Sequence, residues 1–453
     1  MKRILFLLAL FFPISVLAED ITSTSKITID NNVSAKINDK NENTFVTVNK
    51  EAIIKITSDE EIHGIYIIYE QKSINGNIFN EIKSAKIAKN GFLHEYINIE
   101  KNIGPSKEVS IKYDDTVKIG EIYVLSKGEL PDYVEKWDEP CEEADLLLFS
   151  THSDDEQLFF AGLMPHYINK GAKVQVVYFT NHNDNPKRLH EQIHGLYTVG
   201  IRNYPIIGFI PDAWSDNLNW ALKNLEKAGY SEEDAIRFEV EMIRRFKPLV
   251  VVGHDELGEY SHGQHILNTH VLKKALELAN DSEYDSESYK NFGLWDTPKT
   301  YLHLYKENKI IMNYDEPLEL FNGKTAYEVS KEGYSKHLTQ QYTWFTKWLT
   351  GINSSGVGTP YKTASQIKKY SPCEFGLYKT TVGQDVNKND MFENLTLRKD
   401  EKKEKIDNNA KEKIDNSEKN TSKSSNFKID KKVYYIIGIT MLLALILFIP
   451  KKK

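Results

Sequence analysis

Cysteine is scarce in this chain: Cys141 and Cys373 are the only two in 453 residues. Neither lies near a histidine in sequence, which argues against a thiolate nucleophile. Each follows a proline, and they bracket the middle of the chain. Outside the cytoplasm two cysteines most often pair, so a Cys141–Cys373 disulfide is expected, with two free thiols as the alternative. A basic excess is also missing. Lys and Arg number 58 against 65 Asp and Glu, a net charge of -7, which gives no basis for a nucleic-acid partner. No Gly-x-Gly-x-x-Gly follows the first strand of the central region, so a dinucleotide site would lack its usual phosphate cradle. No internal repeat is found.

Long apolar runs occur only at the two ends. Lys2 and Arg3 precede a nearly continuous apolar stretch from Ile4 to Leu17, and Val16-Leu17-Ala18 has the small-residue character of a cleavage site. The stretch is short for a span of about 20 residues, so residues 1–18 read as a cleaved signal peptide rather than an anchor. Val433 to Pro450 is long enough to cross a bilayer, and Lys451, Lys452 and Lys453 follow it. A signal peptide with a final span predicts a single-pass cell-membrane protein, its body outside and its lysine tail in the cytoplasm. A removed lipid-anchor signal is the alternative. Between body and span, residues 399–432 are Lys, Glu, Asp, Asn and Ser with hardly an apolar side chain. Such a segment cannot bury enough surface to offset chain entropy and reads as a disordered tether.

Two domains are expected between leader and tether. Residues 19–130 hold short β-branched and aromatic runs: Ala52–Ile56, Gly64–Tyr69, Tyr96–Ile99, Val109–Tyr113 and Ile119–Val124. Asn, Asp, Gly and Lys clusters separate them, the pattern of an all-β sandwich. The order of features resembles discoidin-like modules, many of which bind sugars or lipid head groups. After an acidic connector, residues 131–398 alternate strands with helices. Strands are expected at Asp145–Phe149, Lys173–Thr180, Asn203–Phe209 and Pro248–His254, and helices at Glu156–Asn169, Arg188–Val199, Ser231–Phe246 and Gln264–Ala279. That alternation predicts an α/β fold, a Rossmann-like parallel sheet covered by helices.

The chemistry lies at two strand ends. Leu146 to Phe149 runs into Thr151-His152-Ser153-Asp154-Asp155-Glu156, delivering an imidazole and paired carboxylates where open α/β sheets bind ligands. His262-Gly263-Gln264-His265 follows another apolar strand. Together these make a candidate His/Asp/His metal site with a carboxylate left over to act as a base. His182, His190 and His194 gather near a further strand end, and no ligand role is assigned to them.

The first motif resembles the Ala-His-Pro-Asp-Asp-Glu signature of the PIG-L-type (LmbE-like) zinc-dependent deacetylases. Gly253 to His265 resembles that family's downstream His-x-x-His segment. Arg188-Leu189-His190-Glu191 and Pro211-Asp212 match further family positions. The resemblance covers about 144 to 386. It implies one Zn2+ held by His152, Asp155 and His265, with other divalent ions possible. It also implies Asp154 as general base and His262 stabilising the oxyanion or protonating the leaving amine. Arg188 and Asp212 are candidate substrate contacts; a helix ion pair with Glu191 and a turn aspartate are their alternatives. Two positions depart from the family: Ser153 stands for a proline, which predicts a less rigid loop, and Gly263-Gln264 stands for Pro-Asp, which removes a candidate partner for a ligand imidazole. Lys336–Gln341 and Phe375–Tyr378 resemble elements of longer relatives and are expected at the cleft rim. Trp214, Trp295, Trp344 and Trp348 read as core rather than sugar platforms.

The expected activity is hydrolysis of the acetamide of an N-acetylated amino sugar, of the N-acetylglucosamine type, in an envelope glycan or glycolipid. The alternatives are a zinc amidase for another acyl conjugate and a non-catalytic carbohydrate-binding adhesin.

Overall fold

The computed structural model describes residues 17–341 and 344–398. Its first part is built from strands β1 (Lys26–Ile29), β2 (Val46–Val48), β3 (Ile54–Ile62), β4 (Gly64–Tyr69), β5 (Gly76–Phe79), β6 (Ser84–Ile87), β7 (His94–Asn98), β8 (Ser106–Tyr113) and β9 (Val117–Leu125), with one helical turn, α1 (Ile99–Asn102). They form a five-stranded sheet, β1-β3-β8-β5-β6, and a four-stranded sheet, β2-β9-β4-β7, antiparallel throughout. Ile54, Ile56, Val109 and Ile111 of one sheet share a core with Ile65, Ile67, Ile119 and Val124 of the other. The all-β expectation is met. β4 is buried along its whole length, because Tyr66 and Ile68 on its other face pack with Leu125 and with Val134 of the connector. That second covering explains its unbroken apolar run.

The second part has a six-stranded sheet ordered β11-β10-β12-β13-β15-β14. The strands are β10 (Leu146–Ser150), β11 (Val174–Tyr178), β12 (Val250–Gly253), β13 (Lys299–His303), β14 (Lys309–Ile311) and β15 (Glu374–Thr380). Leu146, Leu148, Val176 and Val252 point to one apolar cluster, and Leu147, Phe149, Val177 and Val251 to the cluster on the other face. Burial on both faces accounts for strands without alternation. Helices α2 (Asp155–Leu158), α3 (Leu163–Asn169), α4 (Pro186–Thr198), α5 (Leu218–Lys227), α6 (Glu232–Phe246), α7 (Gly263–Leu278), α8 (Ser286–Phe292), α9 (Ala326–Tyr334) and α10 (Phe345–Thr350) connect and flank them. Ser231 and Asp234 close a reciprocal capping box on α6, as its Ser-Glu-Glu-Asp start predicts.

Four expectations are corrected. The sheet is mixed: β10 to β13 run parallel, but β15 is antiparallel to β13 and β14. Helices α9 and α10 lie between β14 and β15, so a crossover long enough for a parallel partner is present and connection length does not set the direction. Asn203–Phe209 is not a strand but two isolated bridges, from Asn203 to Asp138 and from Ile206 to Val177. Pro205 has no N–H for a ladder, and a side chain at Gly208 would strike the Phe179 carbonyl. The helix expected over 156–169 breaks at Gly162, whose φ is +91°. Cys141 and Cys373 are buried and both free. Cys141 belongs to the cluster on one face of the sheet and Cys373 to that on the other, so the sheet separates them. Burial pushes each thiol up to about 12.

Of the leader, only Leu17 and Ala18 are described, and Ala18 is buried with its N–H donating to the Glu129 carbonyl. Residues 1–16, the tether from 399, the apolar segment 433–450 and the lysine tail lie outside the described residues. Among the described residues no helix is long and apolar enough to cross a membrane.

Glu239 on α6 is fully buried, and neither carboxyl oxygen has a hydrogen-bond partner. Burial raises its proton affinity well above the usual carboxylate range. The folded state therefore holds a proton that the unfolded state releases, and this contribution to stability is full below the ordinary Glu pKa and lost as pH rises. Each pH unit over which only the unfolded chain is ionised costs about 1.4 kcal/mol. Urea unfolding should show Glu239→Gln gaining on the parent between pH 5 and pH 8. A constant difference across that range would contradict this.

Candidate active site

β10 and β12 are parallel neighbours, so their carboxyl ends lie side by side. The loop after β10 carries His152 to Asp155 and enters α2. The loop after β12 carries His254 and Glu259 and enters α7 with His262 as its N-cap. This is how motifs a hundred residues apart in sequence meet.

His152 Nδ1, Asp155 Oδ2 and His265 Nε2 form a triangle with all three sides 3.1 Å. Tetrahedral donors about 2.0–2.1 Å from a common ion would lie about 3.3 Å apart. All three side chains are buried. Two imidazoles and a carboxylate converging at this spacing fit a divalent cation. Burial alone would raise the Asp155 carboxyl, but His265 and His152 outweigh it and hold it well below the usual range. The donor atoms of His152, His262 and His265 also lie within 4.8 Å of one another, as do those of Asp155, His254 and His265.

The far side of each imidazole is occupied. His265 Nδ1 lies 2.8 Å from Glu259 Oε2, which fixes its Nε2 toward the triangle. Glu259 is fully buried and also lies 2.9 Å from His254 Nδ1 and 2.6 Å from His303 Nδ1. His254 Nε2 accepts from the Thr151 N–H at 3.0 Å, so both its nitrogens are engaged in holding the loop. His152 Nε2 is 3.0 Å from Gln264 Oε1. Gln264 thus takes an orienting role at one departure from the family pattern. Within the same departure, a side chain on Gly263 would collide with Ser215 Oγ, and the Gly263 N–H donates to the Ser215 carbonyl, which proline could not do. Glu259→Gln should weaken metal binding about 10–100-fold with the fold retained, read by competition against a chelator. Unchanged affinity would remove Glu259 from this role.

Asp154 stands outside the triangle. Its φ of 133° is rare for a residue with a side chain, and its N–H donates to Glu156 Oε2 at 2.9 Å. Arg188 lies 3.3 Å from Asp154 Oδ1 and 2.7 Å from Asp212 Oδ2, and also donates to the Ser153 carbonyl. Burial raises the proton affinity of Asp154, and Arg188 partly offsets this. Arg188 makes no ion pair with Glu191, which accepts from Thr339 instead. Ser153 does not loosen the loop: its N–H donates to His182 Nε2 and its hydroxyl to the Arg188 carbonyl.

A cavity of about 430 Å³ opens over these groups. Asp154, Arg188, Asp212 and His262 line it with Trp214 and Trp344. Both indoles are more than half exposed, so they are rim rather than core. His262 Nδ1 accepts from the Gln264 N–H at 3.1 Å, which places the ring proton on Nε2. Burial and the imidazoles of His152 and His265 keep the ring neutral. Gln340 of the Lys336–Gln341 segment reaches the cavity, whereas Phe375–Tyr378 lies within β15 and not at the rim.

All seven expected metal, catalytic and substrate residues therefore gather at one place. Sequence reasoning missed Glu259, Gln264 and His303. Glu259 lay inside the quoted segment; its position six residues before His265, in a loop, gave no helical register to connect them.

Residues 147–276 match the model of the PIG-L family, GlcNAc-PI de-N-acetylase. The chain is 30% identical over 181 residues to a 1D-myo-inositol 2-acetamido-2-deoxy-alpha-D-glucopyranoside deacetylase 2 of Saccharopolyspora erythraea, covering 34% of this chain and 63% of the relative. It is 27% identical over 161 residues to a mycothiol S-conjugate amidase of Streptomyces coelicolor, covering 32% of this chain and 55% of the relative. The chain thus spans under two thirds of the length of these curated relatives. The solved N,N'-diacetylchitobiose deacetylase of Pyrococcus horikoshii aligns at 14% identity and a TM-score of 0.32, over 46% of this chain and 76% of that one. The stretch from 147 to 276 is a PIG-L family domain.

Proposed function

We propose that the chain is a metal-dependent deacetylase that hydrolyses the acetamide of an N-acetylated amino sugar in an envelope glycan or glycolipid. The observation that carries this reading is the equilateral set of donor atoms on His152, Asp155 and His265, with Asp154 beside it and outside it. Zinc held by these three would supply Lewis acidity toward the amide carbonyl and make an attacking water more acidic. Asp154 would take the proton from that water and hand it to the leaving amine. Arg188 holds the Asp154 carboxylate and fixes its aim. His262, with its proton on Nε2, would donate a hydrogen bond to the carbonyl oxygen as negative charge develops there. A neutral imidazole is a weak acid, so the oxyanion role is favoured over that of general acid. Asp212 is engaged by Arg188 and is also the cavity's acceptor for a sugar hydroxyl.

The exposed indoles of Trp214 and Trp344 suit the apolar face of a pyranose. Trp214→Ala should raise KM about fivefold with kcat nearly unchanged. A loss confined to kcat would contradict a binding role. The terminal segments support an outward-facing body anchored through 433–450, and the β module, read as discoidin-like, would hold the enzyme against its glycan. The relative named as an amidase favours a second reading, hydrolysis of another acyl conjugate. Acetate release measured across N-acetylglucosamine, its oligomers, glycolipids that carry it and acylated thiol conjugates separates the two. Release only from the conjugates would overturn the first.

A further inference from the structure

A second group of imidazoles and carboxylates lies away from the catalytic cavity, where α4 meets the β module. Glu42 precedes β2, His94 opens β7, and His190 and His194 sit one turn apart on α4. Glu135 of the connector lies behind them. Its Oε1 is 2.7 Å from His194 Nδ1 and its Oε2 is 3.1 Å from His94 Nδ1, with the Trp137 indole N–H donating to it as well. A carboxylate on both Nδ1 atoms leaves each Nε2 facing away from it. His194 Nε2 then lies 3.0 Å from Glu42 Oε2, and His94 Nε2 lies 2.9 Å from His190 Nδ1. Donor atoms of Glu42, His94 and His194 all fall within 4.8 Å of one another.

We infer that Glu42, His94 and His194, with His190 beside them, bind a second divalent cation of the zinc class, a clamp between the β module and the α/β domain. The arrangement repeats the logic of the catalytic triangle. There Glu259 holds the far nitrogen of a ligand imidazole; here Glu135 holds two. Mixed imidazole and carboxylate donors select a borderline divalent ion. His94 is fully buried, while the Glu42 and His194 side chains are a third and a quarter exposed, which leaves an entry path. The ligands come from both domains, so binding would join them. It would also fix α4, which carries Arg188 two residues before His190. The rival occupant is a proton: with no cation, Glu135 and Glu42 favour an imidazolium at His194.

The full chain is stripped with chelator, reloaded with Zn2+, desalted and assayed for metal per chain by elemental analysis, with circular dichroism as a check of folding. The parent should hold about two equivalents, and His265→Ala about one. His194→Gln and the milder Glu42→Gln should each fall to about one while the catalytic equivalent stays. If both variants keep the parent's stoichiometry, or if the parent holds a single equivalent that His265→Ala abolishes, the clamp is overturned while the catalytic site stands.

Discussion

His265→Ala should lose stoichiometric metal at the catalytic triangle and at least about 10³-fold in acetate release, several kcal/mol of transition-state stabilisation. His265 Nε2 stands 3.1 Å from both Asp155 and His152 and closes the triangle. His254 is the nearest candidate to replace it, but its nitrogens are committed to Glu259 and to the Thr151 N–H. The substitution also deprives the buried Glu259 of one of its three imidazole partners. A stability loss of about 1–3 kcal/mol should accompany the loss of activity. Metal content separates the two effects. A folded variant that retains stoichiometric zinc and activity would show that the cation binds elsewhere.

Asp154→Asn should behave differently. Its carboxylate is not part of the triangle, so metal content should be unchanged while kcat falls about 10²–10⁴-fold. An amide keeps the size of the side chain and can still face Arg188 through its oxygen, but it cannot take a proton. Arg188→Lys should reproduce part of this loss, since one ammonium cannot contact Asp154, Asp212 and the Ser153 carbonyl as the guanidinium fork does. Wild-type kcat in Asp154→Asn would remove Asp154 as the base.

Much of the site was legible because its residues fall at strand ends. A buried strand can be read from Leu146 to Phe149, and the loop after it is then placed at the carboxyl edge of the sheet. The two ligand motifs follow from that rule without any knowledge of their distance. What stayed hidden depends on tertiary contact. Glu259 in the loop after β12 and His303 at the end of β13 reach one another, and nothing in either segment's spacing shows it. The Glu42 to His194 cluster joins two domains, so no single segment contains its pattern. In the fold, β3, β4 and β7 to β9 announced themselves through β-branched runs. β1, β5 and β6 did not, because their short sequences carry Lys, Asn and Ser on exposed faces. The antiparallel β15 was not legible as a strand, since only Phe375 to Leu377 of Glu374–Thr380 are buried and Glu374, Lys379 and Thr380 break the apolar run.

Catalysis as proposed requires one cation among His152, Asp155 and His265. Anomalous diffraction collected on both sides of the zinc absorption edge, from crystals of the zinc-loaded chain, addresses it directly. A strong peak is expected in contact with His152 Nδ1, Asp155 Oδ2 and His265 Nε2, with Asp154 outside its coordination sphere. A map without a peak there, or with Asp154 as a ligand and His265 remote from the ion, would contradict it.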